Sequence, residues 1–181
     1  MTDTPFQKAN SPDEVLDLVD MTDTVIGSTP RPEANRNPAL THREISVLLF
    51  DSQKRVVIQK RSRYKEVHPN MWSLLAGHVP AGEDPEKVAY QELQEEYGID
   101  NISLQYVTKQ YIEYPHESHF MYYFVGAYSG EVIHFEASEI SEVRVVSEDQ
   151  LQKMIQNKES FNTKYLPILA EFWHGKYATY L

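Results

Sequence analysis

The chain has 181 residues, 41% of them hydrophobic, no cysteine, and a formal net charge of −10. This fits one globular domain and excludes a disordered chain, while the missing cysteine excludes disulfides and thiol chemistry, as expected of a cytoplasmic protein. The acidic balance argues against a nucleic-acid partner but leaves room for a small anionic substrate, and no long apolar run or basic-then-apolar start points to a membrane or to secretion.

Residues 1–12, rich in Thr, Ser, Asp and Pro, read as a mobile leader, and residues 13–181 as a single domain. Over 13–28, Leu16, Val19, Val25 and Ile26 flank a polar Asp20-Met21-Thr22-Asp23 turn, which predicts a hairpin. Pro30, Pro32 and Pro38 then mark 29–41 as a surface loop. Strands are expected over 44–50 and 55–60. The apolar run Val47-Leu48-Leu49-Phe50 makes the first of them central and covered on both faces.

Charge changes sign at this point. Lys54, Arg55, Lys60, Arg61, Arg63 and Lys65 follow one another with no acid between them. Lys54 and Arg55 read as solvated. Arg61 and Lys65 stand just before an acidic stretch and suit the gripping of a phosphate, Arg by its bidentate fork and Lys by its compact charge. A solvated loop is the alternative for both.

A short strand is expected over 72–76, then a Gly-containing turn over 77–83 and a helix. Asp84 is a good N-cap, Pro85 suits the first helical position, and Gly98 suits the residue past the end. On a helical wheel Ala89, Leu93 and Tyr97 form a stripe for a core, and Glu92, Glu95 and Glu96 crowd the adjacent face. Like charges at such spacings cost a few tenths of a kcal/mol per pair. No Lys or Arg interleaves them between 88 and 98. Clustered carboxylates suit a hard divalent cation such as Mg²⁺, and a merely solvated acidic face is the alternative.

Further strands are expected over 104–114, 120–128, 131–135 and 142–146. Ser147 with Gln150 makes a capping box for a helix carrying Leu151, Met154 and Ile155, and a last helix runs over 166–174. Strands around one central helix, with another helix near the end, point to an α/β sandwich.

The spacing Gly77, Glu83, Gln91, Glu92, Leu93, Glu95, Glu96, Gly98, Ile99 resembles the Nudix box over residues 77–99, matching eight of its nine defined positions. The departure is Gln91, where the family carries Arg. The resemblance implies the Nudix fold, a mixed β-sheet sandwiched between α-helices, and a Mg²⁺- or Mn²⁺-dependent hydrolase that cleaves the diphosphate of a nucleoside diphosphate-linked or similar small molecule. It implies Glu95 and Glu96 as metal ligands, Glu92 as ligand or as the base that polarises water, Glu83 as a further ligand or an anchor, and the Gly77 carbonyl beside them. A further acid is expected beyond the box, at Glu139, with Glu136 and Glu142 as competitors. Dimers are frequent in the family, so a homodimer is an open expectation.

A narrower resemblance, through Gln59-Lys60-Arg61-Ser62, Lys65, Pro69, Trp72 and Ala76-Gly77-His78-Val79, is to isopentenyl diphosphate isomerases and the hydrolase-like proteins related to them. The isomerases use a cysteine where this chain has Ala76, which argues against isomerisation. They also carry Glu-x-Glu after the box, where Glu117-Ser118-His119 stands here. His78, and more weakly His42, are left as ligands or phosphate donors. Gln91 keeps open a non-catalytic binding module as the alternative to a hydrolase. Tyr111, Tyr114, Phe120, Tyr122 and Tyr123 either stack a base or pack a core.

Overall fold

The computed structural model describes residues 13–131 and 133–180, so the leader expected over 1–12 lies outside the described residues. Strands β1 (Val15–Val19) and β2 (Val25–Pro30) pair antiparallel as the expected hairpin. The Asp20 carboxylate ties the turn by accepting from the Thr22 and Thr24 backbone N–H groups. The next segment differs from the surface loop expected there. It opens with a four-residue helix, α1 (Arg31–Ala34), in which Pro32 sits in the first turn, where its missing N–H has no partner to lose, and Ala34 is fully buried.

The remaining strands are β3 (His42–Phe50), β4 (Val56–Arg61), β5 (Trp72–Ser73), β6 (Leu75–His78), β7 (Leu104–Glu113), β8 (Ser118–Ala127) and β9 (Ile140–Val146), which form one mixed sheet. Central β3 runs parallel to β8 and antiparallel to β4 and β6. The strand expected over 72–76 divides at Leu74, its first part pairing with β4 and its second with β3. The strand expected over 131–135 is not formed: Ile133, His134 and Phe135 lie outside any strand. The His134 N–H is satisfied instead by the Tyr97 carbonyl, and Phe135 is exposed.

Period-two alternation along β3 builds two cores. Ile45, Val47 and Leu49 pack with Val88, Ala89, Leu93 and Tyr97 of helix α2 (Pro85–Tyr97). Leu48 and Phe50 pack with Leu151 and Met154 of α3 (Glu148–Gln156) and with Ile168, Leu169 and Phe172 of α4 (Leu166–Trp173). The sheet thus lies between helices. Helix α2 begins and ends as its sequence dictates. The Asp84 side chain accepts from the Glu86 and Lys87 N–H groups, and Gly98 adopts φ 67° past the end.

Besides the Val19 N–H, which donates to the Thr41 carbonyl at 2.9 Å, the hairpin is bound to this body on two sides. Arg43 donates to the Asp23 carboxylate at 2.6 Å, Lys109 at 2.5 Å, and the Tyr122 hydroxyl also bonds it. On the other side, Val15 accepts from the Ala81 N–H at 2.8 Å and Asp17 from the Gly82 N–H at 3.0 Å. The turn before α2 therefore rests on the hairpin, with Leu16 and Val19 buried under it.

Candidate active site

One cleft of about 470 Å³ is lined by Gly77, Glu92, Glu95, Glu96, Glu139, Arg61, Lys65 and His78, among others. Its acidic wall is set by a contact between β6 and α2. A Cβ built on Gly77 would stand 2.3 Å from Oε1 and 2.4 Å from Cδ of Glu92, closer than real atoms approach. Only glycine lets the strand and this glutamate share the space. Glu96 is buried, and its carboxylate accepts from Nε2 of Gln59 on β4 at 2.8 Å. Glu95 is exposed at the cleft rim.

Burial, then the neighbouring Glu96 and Glu95, push the Glu92 carboxyl well above the usual carboxylate range. Burial pushes Glu96 up as well, against the opposing pull of Lys65, Gln59 and Arg61. Carboxylates that repel one another, one buried and one half-buried against a backbone with no side chain, fit a hard divalent cation.

The opposite wall brings the basic stretch to the acids beyond the box. The Ser62 N–H donates to the Glu139 carbonyl at 2.9 Å, and its hydroxyl to the Ser138 carbonyl at 2.6 Å. Lys65 is ion-paired with the Glu139 carboxylate. Arg61 Nε donates to the Val67 carbonyl at 3.0 Å, which bends the loop after β4 over the cleft. Glu136 also lines the cleft. Glu142 instead faces Arg144 at 2.7 Å on β9. Glu83 is exposed on the turn before α2 and does not line the cleft, and Gln91 is exposed on the outer flank of the helix.

None of the aromatic residues considered for base stacking lines this cleft, although Tyr114 lines an adjoining pocket that shares His68 and Asn162 with it. Tyr123 is fully buried, Phe120 nearly so, Tyr122 bonds Asp23, and Tyr111 packs on Phe120 at the β7–β8 pair.

A second group of charges gathers at the same cleft; sequence reasoning names His78 and His42 of this group and misses Glu44 and Lys164. His42, Glu44 and His119 lie on the α4 face of the sheet, at its end, and are all buried. Around the Glu44 carboxylate stand Lys164 Nζ at 3.3 Å, His119 Nε2 at 3.5 Å, His78 Nε2 at 3.6 Å and His42 Nε2 at 3.7 Å. His78 Nε2 also lies 3.0 Å from Asn35 Oδ1, to which it donates. Burial works against the Glu44 charge, but His119 and Lys164 outweigh it and hold Glu44 well below the usual range. Burial likewise opposes the Lys164 charge, and Glu44 outweighs it, so Lys164 is held above the usual lysine value. Burial pushes His119 down to about 4. His42 and His78 are marked by the isomerase resemblance, whereas Glu44, two residues after His42 on β3, and Lys164 carry no signal of their own.

The chain matches the NUDIX domain family over residues 40–169, and it belongs to the Nudix family. It is 35% identical over 140 residues to the uncharacterized Nudix hydrolase PA4841 of Pseudomonas aeruginosa, covering 77% of this chain and 82% of that protein. It is 30% identical over 162 residues to an isopentenyl-diphosphate Delta-isomerase of Streptomyces avermitilis, covering 86% and 81%. With an isomerase of the same name from Nocardia farcinica it shares 40% identity over 85 residues, about half of each chain (46% and 49%). The crystal structure of DR0079 from Deinococcus radiodurans superposes with a TM-score of 0.74 at 24% identity, covering 86% of this chain and 97% of that one, a likeness of fold. The family and the hydrolase relative support a hydrolase acting on pyrophosphate bonds. No helix among the described residues is long and apolar enough to cross a membrane.

Proposed function

We propose that this chain is a divalent-metal-dependent hydrolase that cleaves the diphosphate linkage of a small organic diphosphate, nucleoside diphosphate-linked compounds among them. The observation that carries the reading is the seat of Glu92 against Gly77, with Glu95 and Glu96 in the same cleft. Glu92, Glu95, Glu96 and Glu139, with the Gly77 carbonyl, are the proposed holders of Mg²⁺ or Mn²⁺. When bound, such an ion neutralises diphosphate charge and lowers the pKa of water. Gln59 fixes the Glu96 carboxylate from behind. Glu92 serves as ligand or as the base that accepts the proton of the attacking water. Arg61 and Lys65 present positive charge from the facing wall, where a phosphate would lie. His78, held by Asn35, offers a polar contact beside them. Glu83, exposed and away from the cleft, is not among the proposed ligands. Isomerisation is not proposed, because Ala76 carries no thiol to move a proton.

The test is release of phosphate or a monophosphate from a panel of nucleotide and other organic diphosphates, with and without Mg²⁺. Metal-dependent release that Glu95→Gln with Glu96→Gln abolishes, and that Arg61→Ala and Lys65→Ala weaken chiefly through KM, is the expected result. No release from any compound, together with no divalent binding by calorimetry at millimolar concentration, would overturn the reading and leave a binding module.

A further inference from the structure

The proposed hydrolysis accounts for the diphosphate and leaves unassigned where the group attached to it rests. We infer, building on that reading, that the pocket beside the cleft takes a flat, uncharged heteroaromatic ring, so that the substrates of this chain are nucleoside diphosphate compounds held by their base.

The pocket encloses about 180 Å³ and shares His68 and Asn162 with the acidic cleft. That is below the range of about 300–1,000 Å³ for a whole small-molecule site, and it suits one ring system at the end of a longer molecule. The two cavities divide by chemistry. Glu, Arg and Lys side chains line the cleft, whereas among the described residues no carboxylate, Arg or Lys lines the pocket. Burial, with the nearby Lys164 and Arg61 charges, holds His68 below the ordinary histidine value, so its ring is neutral at pH 7.

Tyr114 and His116 supply flat surface. Their rings stack with 6.1 Å between centroids and 18° between planes. The turn that carries them is closed by the Tyr114 N–H, which donates to the Glu117 carbonyl at 2.8 Å. Another wall is tied to the sheet. The Trp72 N–H donates to the Ser160 carbonyl and the Asn162 N–H to the Trp72 carbonyl, both at 2.8 Å, so residues 160–162 run alongside β5 and Phe161 is buried. Met71, which also lines the pocket, accepts from the Arg61 N–H at 2.9 Å. Arg61 thus joins the two cavities: it lines the cleft where a phosphate would lie, and its backbone anchors a wall of the pocket.

The polar groups decide what kind of ring fits. Asn162 Oδ1 is occupied by the Lys164 N–H at 3.3 Å, which leaves the side-chain amide N–H groups to donate. The Thr163 hydroxyl and the neutral His68 ring each donate and accept. An aliphatic chain would leave these groups unpaired. The ring nitrogens and carbonyls of a nucleobase answer them, and its faces match the stacked rings.

Two measurements test this and separate it from the hydrolysis reading. The first needs no turnover: NMR of the chain with Mg²⁺, titrated with AMP and, as the base-free control, with ribose 5-phosphate. AMP alone should shift the His68 and His116 ring signals. Tyr114→Ala should weaken AMP binding by about 10- to 100-fold, and Tyr114→Phe, which keeps the ring, should restore it. No AMP binding, or an equal response to ribose 5-phosphate, overturns the inference. The second compares Mg²⁺-dependent turnover of ADP and ADP-glucose with that of isopentenyl diphosphate. In each, water adds across one P–O–P link and frees AMP or isopentenyl phosphate. The better base-bearing compound should lead in kcat/KM by about 100-fold, and that ratio should fall about 10- to 100-fold in Tyr114→Ala and recover in Tyr114→Phe. A preference for isopentenyl diphosphate, or an unchanged ratio in a folded Tyr114→Ala protein, overturns the inference while leaving the hydrolase in place. If nothing is hydrolysed and AMP still binds through Tyr114, the base pocket stands and the hydrolysis reading falls. Should Tyr114→Ala fail to fold, the comparisons of AMP with ribose 5-phosphate and of ADP with isopentenyl diphosphate decide on the unaltered chain.

Discussion

Glu92, half-buried, and Glu44, buried, are carboxylates of one cleft on opposite faces of the same sheet, and the fold drives them in opposite directions. Glu92 has Glu96 and Glu95 as neighbours and is pushed up. Glu44 has His119 and Lys164 and is pulled down. The difference in direction lies in the neighbours each is given. A buried charge answered within the chain is part of the architecture, while one crowded by its like is prepared for something that arrives from outside.

The sharpest break of this contrast is chemical. Glu92→Gln with Glu96→Gln should lower kcat/KM on any accepted diphosphate by on the order of 1,000-fold, about 4 kcal/mol of transition-state stabilisation. Urea unfolding of the metal-free double variant should show unchanged or slightly raised stability, because repulsion is relieved. Lys164→Met should act the other way round. Leaving Glu44 buried without its partner should cost about 3–5 kcal/mol in the same unfolding measurement.

A smaller effect separates placement from charge. Gly77→Ala keeps every carboxylate but forces Glu92 aside. Since the obstructed atoms are the end of a flexible side chain, stability should change by less than about 1 kcal/mol, while kcat/KM falls roughly 10- to 100-fold. A Gly77→Ala protein with full activity would mean that Glu92 works from another position.

The two regions should also respond to pH with opposite sign. Glu92 and Glu96 have raised pKa values, so the metal-free fold binds protons more firmly than the unfolded chain. Their contribution falls as pH rises from the ordinary carboxylate value of 4.5 through the raised values. Glu44 contributes above 4.5 and loses its contribution as pH drops through its lowered value. His119, held down to about 4 from an ordinary 6.5, stays neutral when folded, so its contribution declines as pH drops from 6.5 to about 4. Urea midpoints across pH should lose the decline above pH 4.5 in Glu92→Gln with Glu96→Gln, and the part of the acid decline between 6.5 and about 4 in His119→Asn. Each variant flattening the other limb would reverse the assignment. The smallest effect is expected for Gln91→Arg. On the exposed flank of α2, a cation there should stabilise the metal-free helix by a few tenths of a kcal/mol and raise turnover modestly.

What was legible in the sequence was local. Asp84, Pro85 and Gly98 bound α2 because capping depends on neighbours along the chain, and β3 was readable because its apolar run had to be covered on both sides. Features decided between distant segments were not. Glu44 and Lys164 are 120 positions apart, and no periodicity links them. The 131–135 stretch has the side chains of a strand, but its His134 N–H is taken by Tyr97. Gly77 and the three box glutamates share the cleft as their spacing suggested, whereas Glu83, placed by the same spacing, lies outside its lining. The aromatic residues of β7 and β8 were left ambiguous by their pattern; packing takes Phe120 and Tyr123 into the core and leaves Tyr111 exposed.

The attachments of the N-terminal hairpin bear on how much chain is needed to make this protein. The family match begins at residue 40, after the hairpin has ended. A fragment cut at that boundary would strip the cover from the turn at Ala81 and Gly82 that feeds the glutamate helix, and would leave Arg43, Lys109 and Tyr122 without Asp23. Boundaries drawn from shared ancestry would then divide a cooperative folding unit, and such a fragment should express poorly even though every residue of the catalytic motif is present.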